Sequence, residues 1–72
     1  MAKRYRYKSK VLFVKAYEAD NATAYATFFT DKKGIDRAYV TDGLSLGHTS
    51  AEKAQYELDQ FAAAKGLKAV QK

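Results

Sequence analysis

The residues richest in chemistry lie near the start of the chain, where Lys3-Arg4-Tyr5-Arg6-Tyr7-Lys8-Ser9-Lys10 interleaves cations with aromatic rings. Cations neutralise phosphates, and an exposed ring gives a base a surface to stack on, worth roughly 1–3 kcal/mol per base. In an extended chain Arg4, Arg6, Lys8 and Lys10 form one row and Tyr5 and Tyr7 another. Odd-numbered positions further along continue the theme with Phe13, Lys15, Tyr17, Tyr25, Thr27, Phe29, Arg37, Tyr39 and Thr41. Taken as one side of a sheet, they form an expected contact surface for nucleic acid, DNA ahead of RNA. Its contacts are Arg4, Tyr5, Arg6, Tyr7, Lys8, Lys10, Lys15, Tyr17, Tyr25, Thr27, Arg37 and Tyr39. The same side has an alternative use. Phe13, Tyr25, Phe29 and Tyr39 suit a protein interface, either a homodimer or the docking face of a small inhibitor of a host enzyme.

Other chemistries have little to work with. Asp31, Asp36, Asp42, Glu18 and Asp20 fall in turns or at strand ends, and no Ser–His–acid or paired-carboxylate pattern is legible, so no enzyme is expected. Gly43-Leu44-Ser45-Leu46-Gly47 matches G-x-S-x-G by letter but lacks the strand–elbow–helix context that exposes such a serine. His48 is the lone imidazole and cysteine is absent, so neither a metal site nor a cofactor is expected. His48 precedes a helix start and could meet an anion there, although an ordinary loop side chain is the simpler reading. No apolar run approaches the roughly 20 residues that cross a bilayer, and the expectation is a cytoplasmic protein.

Charge is unevenly spread. The formal net charge is +5, yet the first 17 residues hold six cations and no acid, while the other 55 hold seven cations and eight acids. A basic strand or arm on a near-neutral body suits a polyanion. Lysines on a sheet edge also block aggregation, the plainer reading of the same residues.

These residues must be positioned by an α+β fold: a three-stranded antiparallel β-meander packed on one C-terminal α-helix, with room for a short fourth strand. The whole chain reads as one domain, with 1–4 as a frayed basic arm. Strands are expected over about 5–18, 23–30 and 35–41, a helix over 50–65 and the short strand over 67–70. Asp20-Asn21 marks one turn, and Asp31-Lys32-Lys33-Gly34 marks a hairpin loop in which Gly34 supplies a positive φ. The helix begins with a capping box, Thr49 as N-cap and Glu52 reaching back to it, and ends at Gly66 with Leu67 folding back. Its apolar stripe of Ala51, Ala54, Leu58, Phe61 and Ala62 should cover even-numbered strand positions: Leu12, Val14, Ala16, Ala24, Ala26, Phe28, Ala38 and Val40.

The helix exterior carries Glu52, Glu57 and Asp59, with Lys53 and Glu57 as an i,i+4 pair. An acidic exterior disfavours helix-in-groove DNA recognition and puts the expected function on the sheet. Three antiparallel strands followed by one helix, with Gly47-His48-Thr49-Ser50-Ala51-Glu52-Lys53-Ala54 at the helix start, resembles the N-terminal arm-binding domains of tyrosine-recombinase integrases. That resemblance implies DNA binding by the sheet. The chain departs from it at Asp36 and Asp42, which bracket a strand that is usually strongly basic there. The combined expectation is a small basic nucleic-acid-binding protein of the kind phages and mobile elements encode.

Overall fold

The computed structural model describes residues 3–70. Five strands and one helix follow in order: β1 (Arg4–Tyr7), β2 (Lys10–Ala19), β3 (Ala22–Thr30), β4 (Asp36–Ala38), α1 (Ala51–Lys65) and β5 (Ala69–Val70). They build one antiparallel sheet of order β4-β3-β2-β1-β5 with the helix on one face, an α+β architecture. The long first strand expected from its Tyr, Val and Phe content is in fact a hairpin. Lys8 and Ser9, at φ 51° and 62°, reverse the chain between β1 and β2. Positive φ at both central residues is the hairpin geometry that matches strand twist, here without glycine. Asp20 and Asn21, at φ 49° and 65°, make the second such turn. Gly34, at φ 84°, completes the third, where the Asp31 carboxylate accepts from the Lys33 and Ile35 amides. Of the expected frayed arm, residues 1 and 2 lie outside the described residues. Lys3 instead accepts a hydrogen bond from Gln55 and Arg4 opens β1.

The register decides which side chains share a face. Ala19 pairs with Ala22 across the two-residue Asp20-Asn21 turn, so even positions of β2 stand opposite odd positions of β3. The same inversion occurs between β1 and β2, where Tyr5 pairs with Leu12. Between β3 and β4 parity is kept, with Phe28 opposite Ala38. The helix therefore covers Tyr5, Leu12 and Val14 together with Thr27, Phe29 and Tyr39, not a uniformly even row. Ala24, Ala26, Phe28 and Ala38 lie on the opposite, outer face with Phe13, Lys15 and Tyr17. Val40 is 57% exposed, and Ala16 is exposed although it shares the helix side.

The core under α1 is Tyr5, Leu12, Leu44, Leu58, Phe61 and Ala62. Leu12 and Leu58 are fully buried, each worth roughly 1.5–3 kcal/mol of hydrophobic transfer. The helix stripe holds at Ala54, Leu58, Phe61 and Ala62, while Ala51 is exposed. The cap is displaced by one residue from the expected box: Ser50 is the N-cap and its hydroxyl accepts from the Lys53 amide at 3.1 Å. Lys53 thus occupies the position where a capping box needs Glu or Gln. At the other end Gly66 takes φ 69°, with its amide donating to Ala63 and the Leu67 amide to Ala62. Leu67 packs on the core, completing a Schellman ending.

Candidate nucleic-acid interface

Alternation on opposite faces divides the twelve expected contact residues into two surfaces. Arg4, Arg6, Lys15 and Tyr17 reach the outer face, joined by Phe13 and Phe28. Tyr5, Tyr7, Lys10, Tyr25, Thr27, Arg37 and Tyr39 fall on the helix side. Lys8 sits in the turn between the two. Phe13 is therefore separated from Tyr25, Phe29 and Tyr39, and these four do not assemble into one interface.

The outer face is aromatic at its centre and charged at its rim. The Arg4 guanidinium lies 5.0 Å from the Phe13 ring centroid, and the Lys15 ammonium lies 5.7 Å from that of Phe28. Such cation–π contacts hold a charge over an apolar patch without neutralising it. Tyr17 and Phe28 pack at 5.8 Å, and Ala26, between Ala24 and Phe28 along β3, has no exposed surface. Phe28 is itself buried, leaving Phe13 and Tyr17 as the rings with exposed area. The Tyr17 hydroxyl accepts from the Gly47 amide at 2.8 Å. Lys15 is bonded to Asp36 at 2.7 Å, and Thr30 donates to the other oxygen of that carboxylate. Lys15, then Thr30, hold the Asp36 carboxyl below its ordinary pKa. Arg4 and Arg6 form no ion pair among the described residues.

On the helix side, availability is uneven. Tyr5 is buried and donates to Asp59 at 2.7 Å, which makes it a core residue rather than a stacking platform. Thr27 is 1% exposed and its hydroxyl has no hydrogen-bond partner, so it too cannot meet a ligand. Tyr25 exchanges both backbone hydrogen bonds with His48 at 2.9 and 3.1 Å, which extends the sheet edge by one residue. Arg37 is held at Nε by Asp31 at 2.5 Å, and that contact leads the causes that depress the Asp31 carboxyl. What remains partly exposed is a cluster of Tyr7, Phe29 and Tyr39 at the end of the sheet nearest the β1–β2 turn, backed by the buried Phe61. Tyr7 meets Tyr39 at 6.3 Å and Phe61 at 5.3 Å, and Phe29 meets Tyr39 at 5.8 Å, all edge-to-face.

The acidic helix exterior is more engaged than its sequence suggests. Glu57 accepts from the Ser45 amide at 2.8 Å and the Ser45 hydroxyl at 2.9 Å, and His48 Nε2 lies 2.8 Å away. Burial raises the Glu57 pKa, but the Ser45 amide, His48 and the Ser45 hydroxyl outweigh it, and the net shift is downward. The expected Lys53–Glu57 pair does not form; Lys53 Nζ donates to Thr49 at 3.3 Å instead. His48 is therefore a strut between loop and helix. The groove beside it, about 920 Å³, is lined by Asp42, Glu52 and Glu57 together with Lys53, Lys65 and Tyr56, a mixed surface without the excess of cations a polyanion calls for. Among the described residues no cluster of His, Cys, Asp and Glu could hold a metal ion, and no helix is long and apolar enough to cross a membrane.

Phe28, buried beneath the outer face, and Phe61 and Lys65, beside the helix-side rings, were not among the expected contacts. Alternation alone puts Phe28 under the helix, whereas the two-residue turn before β3 puts it on the outer face; Phe61 and Lys65 look in sequence like a core residue and a helix-ending base. No protein-family model, curated protein or solved structure matches the chain.

Proposed function

We propose that this is a nucleic-acid-binding protein whose contact element is the β1–β2 hairpin. One observation carries the reading. Arg4, Lys8 and Lys10 each rest on an aromatic ring, over Phe13, Tyr7 and Phe29, and no carboxylate pairs with them or with Arg6 among the described residues. Cations without an ion-pair partner and set on rings combine the two terms that bind sequence-tolerant nucleic-acid ligands, phosphate neutralisation and stacking. The helix exterior carries Glu52 and Glu57 beside Lys53 and lacks the excess of cations that would make it a competing surface for a polyanion. The reading goes with a cytoplasmic setting, where nucleic acid is the abundant polyanion.

Fluorescence anisotropy with labelled single- and double-stranded DNA and RNA at low salt tests this directly. Affinity should fall linearly on a log–log plot against salt. The Arg4→Ala/Arg6→Ala double variant, altered only at exposed side chains, should reduce the magnitude of that slope by about two. Absence of binding to all of these ligands at low salt would overturn the proposal.

A further inference from the structure

The partly exposed ring cluster on the helix side holds three cations, two of them from the hairpin. Lys8 Nζ lies 5.3 Å from the Tyr7 centroid, and Lys10 Nζ lies 5.3 Å from that of Phe29 and 6.0 Å from that of Tyr39. Lys65, in the last turn of α1, lies 5.8 Å from the Phe61 centroid. The rings touch one another in the order Phe29, Tyr39, Tyr7, Phe61, so the three lysines crown one continuous aromatic patch. Tyr7, Phe29 and Tyr39 remain partly exposed. None of the three lysines has a carboxylate partner among the described residues.

We infer that this cluster is a binding site for an unpaired base and its adjoining phosphate, which makes single-stranded rather than duplex nucleic acid the preferred ligand. The inference rests on the nucleic-acid reading of the hairpin and specifies its ligand. Two physical arguments select the single strand. First, a duplex keeps its bases stacked inward, so rings recessed among lysines can be used only by a base already free to leave its neighbours. Second, the cluster and the Arg4–Arg6 face lie on opposite sides of the sheet and meet at the Lys8-Ser9 turn. A ligand that touches both must bend around the hairpin tip. Duplex DNA, with a persistence length of about 150 base pairs, resists that bend, whereas a single strand does not. The lysine ammoniums, already poised over ring faces, can swing outward to a phosphate while the base takes their place on the ring.

The test compares an oligothymidine of about a dozen nucleotides with a duplex of similar length, by anisotropy and by NMR of the aromatic side chains. The wild-type protein should bind the single strand at least about tenfold more tightly, and ring resonances of Tyr7, Phe29 and Tyr39 should shift on binding. Lys8→Ala/Lys10→Ala/Lys65→Ala should abolish that preference, weakening the single strand at least about tenfold more than the duplex. Arg4→Ala/Arg6→Ala should weaken both ligands alike. Equal affinity for the two ligands, a uniform loss in the triple-lysine variant, or ring resonances unmoved by oligothymidine would overturn the inference while leaving the hairpin reading in place. Failure to bind either ligand would overturn both. The three lysines are side chains without hydrogen bonds or ion pairs among the described residues, and the amide spectrum of the variant reports that its fold is intact.

Discussion

Tyr5 ties sheet to helix through a single hydroxyl. Its ring is 7% exposed in the core, and its oxygen donates to Asp59 at 2.7 Å, a carboxylate that Gln55 Nε2 also reaches at 2.9 Å. Burial first, then the hydrogen bond and negative charge of Asp59, push the Tyr5 pKa from 10.0 up to about 12. The folded value lies above the unfolded one, so the protonated phenol is the form that folding favours. Its stabilisation is complete below pH 10.0 and is lost as pH rises through about 12. Tyr5→Phe keeps the ring and leaves Asp59 with its Gln55 contact, so it should cost about 1 kcal/mol at neutral pH. Urea denaturation at a series of pH values checks this: the gap between wild type and variant should be flat below pH 10.0 and close toward 12. A gap that persists unchanged at the alkaline end would refute the assignment. The contact itself was beyond the reach of sequence, because nothing in Lys3-Arg4-Tyr5-Arg6 distinguishes a core tyrosine from a solvent-facing one.

At the scale of elements, α1 shows how closely end signals can be read and where they slip. Gly66 was legible because a left-handed helix ending strongly favours a residue without a Cβ. The start was ambiguous, since Thr49 and Ser50 are both good caps and only the chain path selects between them. Ser50 has extended backbone and accepts from Lys53, so Ser50→Ala should cost about 1 kcal/mol while Thr49→Ala costs a few tenths. Thermal or urea unfolding followed by helical circular dichroism would show the two variants reversed if Thr49 were the cap. Strands followed the same division between what residue type reveals and what geometry decides. Val11, Leu12, Phe13 and Val14 announce a strand by β-propensity, but Lys8 and Ser9 give little warning of a turn at positive φ. One two-residue turn at Asp20-Asn21 then inverts the parity of everything after it. The rings and cations of the candidate site were thus identifiable by type, whereas their division between two faces depended on turn length.

Across the whole molecule, the three carboxyls held below their ordinary pKa values all anchor the stretch between β3 and α1. Asp31 organises the β3–β4 turn through the Arg37 side chain and the Lys33 and Ile35 amides, and Asp36 bonds Lys15 and Thr30. Glu57 reaches from the helix to the loop at Ser45 and His48. Together they secure β4 and the connection from β4 to α1, whereas the β1–β2–β3 hairpins and the helix core depend on backbone pairing and apolar burial. A depressed carboxyl contributes stability that is present above its unfolded pKa and is lost as pH falls through the folded value. Acidification should therefore loosen residues 31–48 first, below the ordinary carboxylate range, while β2, β3 and α1 stay protected. Further protonation leaves thirteen Lys and Arg without opposing charge, and repulsion concentrated near the β1–β2 hairpin then favours global unfolding. Amide hydrogen exchange on a descending pH series, corrected for intrinsic rates, resolves the two stages. The Tyr25 and His48 amides, which bind each other's carbonyls, are direct reporters of loop release. Asp31→Asn and Glu57→Gln should reproduce that local loosening at neutral pH without exposing Leu12 or Leu58 amides. Loss of protection in β2 and α1 at the same pH as in 31–48 would show instead that the carboxylates stabilise the molecule as one cooperative unit.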